Sequence, residues 1–131
     1  MAKIKQPKEE KQTVKQIYRG EIYLVSFDPT IGHEIKKTRP AVVIQNDIGN
    51  KYNPITIVAA ITSTILPVVH PIMVQVKPNK VNGLDVLSTV RLNQIRSVDK
   101  QRLTKRLGML DEDNMETLDQ ALQISLGLVK L

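Results

Sequence analysis

Short apolar runs, each cut off by turn chemistry, fill the chain from residue 21 to residue 98, and then the period changes. Glu21 to Phe27 is rich in Ile, Tyr, Val and Phe and is closed by Asp28-Pro29-Thr30. β-Branched and aromatic side chains suit a pleated, half-buried surface, so the run is predicted as a strand. Pro40 biases Arg39 toward an extended conformation, and Ala41 to Gln45 reads as a buried strand. A turn-rich connection is expected from Asp47-Ile48-Gly49-Asn50 through Asn53-Pro54, then a strand over Ile55 to Ile61. After Pro67, strands are expected over His70 to Val76 and Asp85 to Leu92, with a short continuation over Gln94 to Val98. Asp99 is expected to cap a short helix through Leu107 that stops at Gly108. Asp111 then reads as the cap of a second helix, with Met115, Leu118, Ala121, Leu122, Leu126 and Val129 as its apolar stripe. Short strands followed by helices predict an α+β chain in which β dominates, a small, strongly bent sheet or barrel with helices packed on it.

The 131 residues suffice for one domain with a modest core. Apolar residues make up 41%, which argues against global disorder. No cysteine is present, so disulfides, thiolate catalysis and cysteine-held zinc are excluded. No apolar run approaches the roughly 18 residues of a membrane helix, and the polar start is unlike a signal peptide. A soluble, cytoplasmic protein is expected. Residues 1–19 hold six Lys or Arg against Glu9 and Glu10, so most of the net charge of +6 sits on a leader. Residues 1–17 are expected to form a flexible, basic extension, and 18–131 the folded domain.

The chemistry open to these residues is narrow. His33 and His70 are far apart and neither belongs to a ligand spacing, so no metal is expected. There is no phosphate-binding glycine loop and no serine nucleophile motif. Hydrolytic chemistry without metal or cysteine is open to RNA, whose own 2′-OH is an internal nucleophile. A protein then needs to orient that hydroxyl, assist proton transfer and neutralise charge on phosphorus. Arg39 suits the last task, because a guanidinium matches two phosphate oxygens and stays charged. Thr62 carries a hydroxyl able to bond a phosphate or a 2′-OH. Taken singly, Arg39 is equally a strand-end surface charge and Thr62 a β-branched residue finishing a strand.

Several runs stand in one order: Arg19-Gly20-Glu21-Ile22-Tyr23, Gly32-His33-Glu34, Thr38-Arg39-Pro40-Ala41-Val42-Val43-Ile44-Gln45-Asn46-Asp47 and Val58-Ala59-Ala60-Ile61-Thr62-Ser63. They continue through Asn93-Gln94-Ile95-Arg96-Ser97-Val98-Asp99-Lys100-Gln101-Arg102-Leu103 and Ala121-Leu122-Gln123-Ile124-Ser125-Leu126. Together they resemble the MazF/PemK family of toxin endoribonucleases over about residues 18–129. The resemblance implies an SH3-like, CcdB/MazF-like β-barrel with C-terminal helices, a homodimer, and inhibition by a cognate MazE-like antitoxin. It implies sequence-specific cleavage of single-stranded mRNA without metal or other cofactor, giving 2′,3′-cyclic phosphate and 5′-OH ends. The family's catalytic pair falls on Arg39 and Thr62, and its acidic loop position on Glu34. RNA contacts are implied at His33, Lys36, Lys37, Ser63 and Gln94. His33 departs from the family's usual small polar residue, and Lys36 and Lys37 replace positions that are often glycine. Two other readings stay open on this fold: a non-enzymatic, CcdB-like gyrase poison and an SH3-like nucleic-acid-binding module. Neither requires Arg39 and Thr62 together.

Overall fold

Six strands form one antiparallel sheet: β1 (Glu21–Ser26), β2 (Thr38–Val43), β3 (Ile55–Thr62), β4 (Met73–Val76), β5 (Ser88–Asp99) and β6 (Leu103–Met109). Their spatial order is β4-β5-β3-β2-β1-β6. Among the described residues two α-helices accompany these six strands, α1 (Asp47–Tyr52) and α2 (Glu112–Ser125). The computed structural model describes residues 16–64 and 70–130. Of the extension expected over 1–17, residues 1–15 lie outside the described residues, as does the turn expected at Pro67. Ile17 is buried in the core, just ahead of the boundary expected at residue 18.

Strand alternation sorts the core into two layers, one on each face of the sheet. Ile22, Val42, Ala59, Ile61, Val90 and Leu92 point to the face covered by α2, where Leu118 and Ala121 meet them. Tyr23, Val25, Ala41, Val43, Val58 and Ala60 point the other way and pack with Ile17, Phe27, Val98 and Leu103. The architecture is the expected α+β, yet the word barrel fits loosely. Among the described residues no ladder joins β4 to β6, so the sheet stays open.

Four local expectations need correction. The helix expected from Asp99 to Leu107 is a single 3-10 turn, Lys100–Arg102, followed by β6. The four-residue spacing of Leu103 and Leu107 fits one helical face, but the long pairing with β1 makes a strand whose shifted register puts Leu103 in the Tyr23 layer and Leu107 against the Ile22 layer. Gly108 is no helix stop: a Cβ there would lie 2.2 Å from the Val81 carbonyl oxygen, so the glycine lets β6 touch the 77–84 loop. The connection after Asp47 is helical, because the Asn46 side chain caps it by accepting Gly49 N–H at 2.8 Å. Strands expected over 85–92 and 94–98 are one strand, β5, kinked where Ala59 faces Ile95 and Ala60 already faces Arg91. In α2 the stripe holds through Leu122, but the helix ends at Ser125 and leaves Leu126 and Val129 exposed.

Below α1 lies a buried polar knot. Asn50 donates to the Gln45 carbonyl and to Asp47 Oδ1, while its Oδ1 accepts from Thr56 Oγ1 at 2.7 Å and Gln45 Nε2 at 3.1 Å. Lys100 is buried beneath it, and its Nζ donates to the Asn50 carbonyl. Burial pushes the Lys100 ammonium below its ordinary range. On the outer side of α2, Glu112, Asp113, Glu116 and Asp119 line a groove of about 570 Å³ in which Arg19 pairs with Asp119.

Candidate active site

Pro40 shapes the site through what it lacks. It pairs with Leu24 on β1, but it has no N–H to give β3, and the β2–β3 ladder runs only over Ala41–Ala60, Val42–Ala59 and Val43–Val58. Continuing that register past the last bonded pair puts Arg39 opposite Thr62. Both therefore stand on one sheet face, the face of Ala41 and Ala60, at the end where the two strands are no longer tied. The sequence-predicted pair is brought together as cross-strand neighbours.

Thr62 is 6% exposed, and its hydroxyl is a buried group without a hydrogen-bond partner among the described residues. Such groups are rare, and leaving one unpaired costs about 1–3 kcal/mol. Among the described residues the hydroxyl is left with its hydrogen-bonding capacity unspent. The Arg39 side chain is half-buried, and its Nε donates to the Lys36 carbonyl at 3.3 Å, which turns the guanidinium toward the β1–β2 loop.

That loop is fastened from several sides. Within it, Glu34 Oε1 accepts Ile31 N–H at 2.7 Å, and Glu34 N–H donates back to the Ile31 carbonyl at 3.2 Å. Lys37 sits in the left-handed region with φ +65°, its N–H bonded to Asp28 Oδ1 at 2.9 Å and its carbonyl to Phe27 N–H. Gln94, at the β5 kink, bridges to the loop: its Oε1 accepts Ile35 N–H and its Nε2 donates to the His33 carbonyl. Gln94, Glu34, Phe27 and Arg96 line a small cavity of about 160 Å³ between loop and sheet.

The remaining expected residues are placed as follows. His33, Lys36 and Lys37 are exposed on the loop, and Ser63 is exposed directly after Thr62. Glu34 is exposed and bonded to its own loop, with no hydrogen bond or ion pair to Arg39. Sequence reasoning missed three arginines. Arg96 donates to the Phe27 carbonyl at 2.5 Å and the Pro29 carbonyl at 3.3 Å, and Arg102 holds the Ser26 and Asp28 carbonyls at 3.0 and 2.5 Å. No sequence signal links Arg102 to a loop more than 70 residues earlier. Arg91 interrupts the apolar run Val90-Arg91-Leu92, and that interruption was the legible sign of a charge on the face away from α2.

Chemically, the arrangement offers one guanidinium, one unpaired hydroxyl and a rim of Lys36 and Lys37, all suited to phosphate oxygens. Among the described residues no three His, Asp or Glu side chains converge as a metal-ligand set. The family model described as PemK-like, MazF-like toxin of type II toxin-antitoxin system matches residues 18–126. The chain belongs to this family. It is 43% identical over 113 residues to Endoribonuclease EndoA of Bacillus subtilis strain 168, covering 86% of this chain and 97% of that protein. MazF from Deinococcus radiodurans superposes with a TM-score of 0.72 at 24% identity, over 86% of this chain and 98% of that one. A mycobacterial endoribonuclease in complex with its cognate antitoxin gives a TM-score of 0.72 at 20% identity, over 88% and 99%. At these identities the two structures establish the MazF-like fold of the chain.

Proposed function

We propose that this MazF/PemK-family toxin cleaves single-stranded mRNA at a preferred sequence, without metal, by attack of the 2′-OH on the adjacent phosphorus. The observation that carries the reading is the buried Thr62 hydroxyl, without a hydrogen-bond partner among the described residues, opposite which the continued β2–β3 register sets Arg39. In the reaction the O2′–P bond forms and the P–O5′ bond breaks. One proton leaves the 2′-OH and one reaches O5′, giving a 2′,3′-cyclic phosphate and a 5′-OH. Arg39 neutralises the charge that gathers on the non-bridging oxygens, where a fixed donor acts most strongly. Thr62 Oγ1 bonds one of those oxygens and fixes the phosphate. Glu34 spends one carboxylate oxygen on Ile31 N–H and keeps the other for the 2′-OH proton. Lys36, Lys37, His33, Ser63 and Gln94 hold the flanking nucleotides, and Lys36 and Lys37 supply salt-sensitive attraction.

The chain works as a homodimer in the cytoplasm, where its substrate is. Among the described residues no helix is long and apolar enough to cross a membrane. Its inhibitor is a MazE-like antitoxin. Support comes from the mycobacterial endoribonuclease solved with its cognate antitoxin and the MazE–MazF structures of Deinococcus radiodurans. An acidic antitoxin segment suits the Lys36–Lys37 rim for the same reason that RNA does. The test is a long RNA incubated with the purified protein in EDTA. Discrete fragments ending in 5′-OH and cyclic phosphate are expected, and none with Arg39→Ala. Intact RNA with folded wild-type protein refutes the reading.

A further inference from the structure

Resting on the ribonuclease reading, we infer that Arg91 is a second phosphate-binding residue of this site and holds the RNA phosphate next to the one gripped by Arg39 and Thr62. Among the described residues two buried side-chain polar atoms lack a partner, and they are Thr62 Oγ1 and Arg91 Nε. They lie together. On the β3–β5 ladder Thr62 faces Thr89 and Ala60 faces Arg91, so Arg91 is the diagonal neighbour of Thr62 on the same face. Diagonal neighbours stand about 7–8 Å apart, within reach of a long side chain.

Among the described residues Arg91 finds no hydrogen-bond partner. Its flanking cross-strand partners are Ala60 and Met73, and Thr89 spends its hydroxyl on the Thr64 carbonyl at 3.2 Å. Of the six arginines in the sequence, the other five each donate at least one hydrogen bond, whereas Arg91 makes none among the described residues. A guanidinium does not shed its proton at any working pH, so a half-buried one without an anion is a standing cost. A phosphate removes that cost, and the planar fork of Arg91 fits its oxygens. Position favours RNA as the source. Arg39, Thr62 and Arg91 step across three adjacent strands, β2, β3 and β5, on one face, as a single strand of RNA crossing the sheet end would require.

The experiment compares wild type, Arg91→Gln and Arg91→Lys on a mapped cleavage site, in RNA with all phosphates and in RNA carrying one neutral methylphosphonate beside the scissile bond. Arg91→Gln is expected to weaken binding of the natural RNA about 10-fold. It should also lower the slope of log affinity against log salt by about 0.7, the share of one single-strand phosphate contact. Arg91→Lys should restore the slope. The methylphosphonate at one flanking position should cost the wild type a similar factor and cost Arg91→Gln almost nothing, since the two changes remove one contact. Equal losses for both proteins at every flanking position overturn the inference, as does an unchanged salt slope in Arg91→Gln. A change in dimer dissociation at constant RNA slope overturns it in favour of an ion pair between two copies. Cleavage by wild type with no Arg91 effect defeats this inference alone, whereas no cleavage by wild type defeats the ribonuclease reading itself.

Discussion

On the proposed reading, Thr62 trades stability for function. A buried hydroxyl with no partner is worth more removed than kept while RNA is absent, so Thr62→Val should hold or raise stability by up to about 1–2 kcal/mol in urea unfolding. The same substitution should slow single-turnover cleavage about 10²-fold, because the lost donor acts on transition-state charge. Loss of both stability and activity would mark Thr62 as packing only. Tyr23 gives a different kind of test. Burial first, then the Glu21 carboxylate that accepts its hydroxyl at 3.1 Å, raise its pKa from 10.0 to about 12. Below pH 10 the phenol is protonated folded or unfolded, and its contribution is intact. Between pH 10 and 12 only the unfolded chain releases the proton, so stability falls as pH rises, by about 1.4 kcal/mol per unit at most. Urea midpoints of wild type and Tyr23→Phe, compared from pH 9 to 11.5, should show the shallower decline in the variant.

The β1–β2 loop decides how Arg39 is presented, and its distant fastenings come from β5 and the 3-10 turn that follows it. Arg96, Arg102 and Gln94 bond its backbone, and Lys37 closes it with φ +65°. A left-handed lysine costs about 1 kcal/mol against glycine, so Lys37→Gly should raise stability by about that amount while weakening RNA binding through the lost charge. Thermal melts and binding titrations at two salt concentrations separate the two effects. These elements also show what a sequence displays and what it hides. The β1, β2 and β3 runs and the α2 stripe were legible because each has one period and clear terminators. Leu103 and Leu107 were not, since their spacing matches a helix, and only the irregular pairing with β1 sends them to opposite faces of a strand. The kink in β5 was read as a break, because Asn93 falls inside the irregular step between Arg91 and Ile95 and a turn residue marks a strand end and a bulge alike.

Among the described residues of the whole molecule, one basic cluster and one acidic cluster stand apart. Lys36, Lys37 and Arg39 ring the loop end of the sheet, whereas Glu112, Asp113, Glu116 and Asp119 line the groove along α2. On the proposed reading, this arrangement draws the RNA to the loop end. Net charge alone did not reveal this, because most of the excess lies in residues 1–19 and the useful charge is a local arrangement. Arg39 and Thr62 were found in the sequence through family resemblance; their juxtaposition came from the β2–β3 register, and the orphaned hydroxyl from burial, neither of which a sequence displays. The central claim is that these two residues act on one phosphate as a unit. Single-turnover cleavage by Arg39→Ala, Thr62→Val and the double variant tests it most directly. The account predicts that each single change costs about 10²–10³-fold and that the double variant is hardly slower than the worse single one. Losses that multiply fully in the double variant would contradict it.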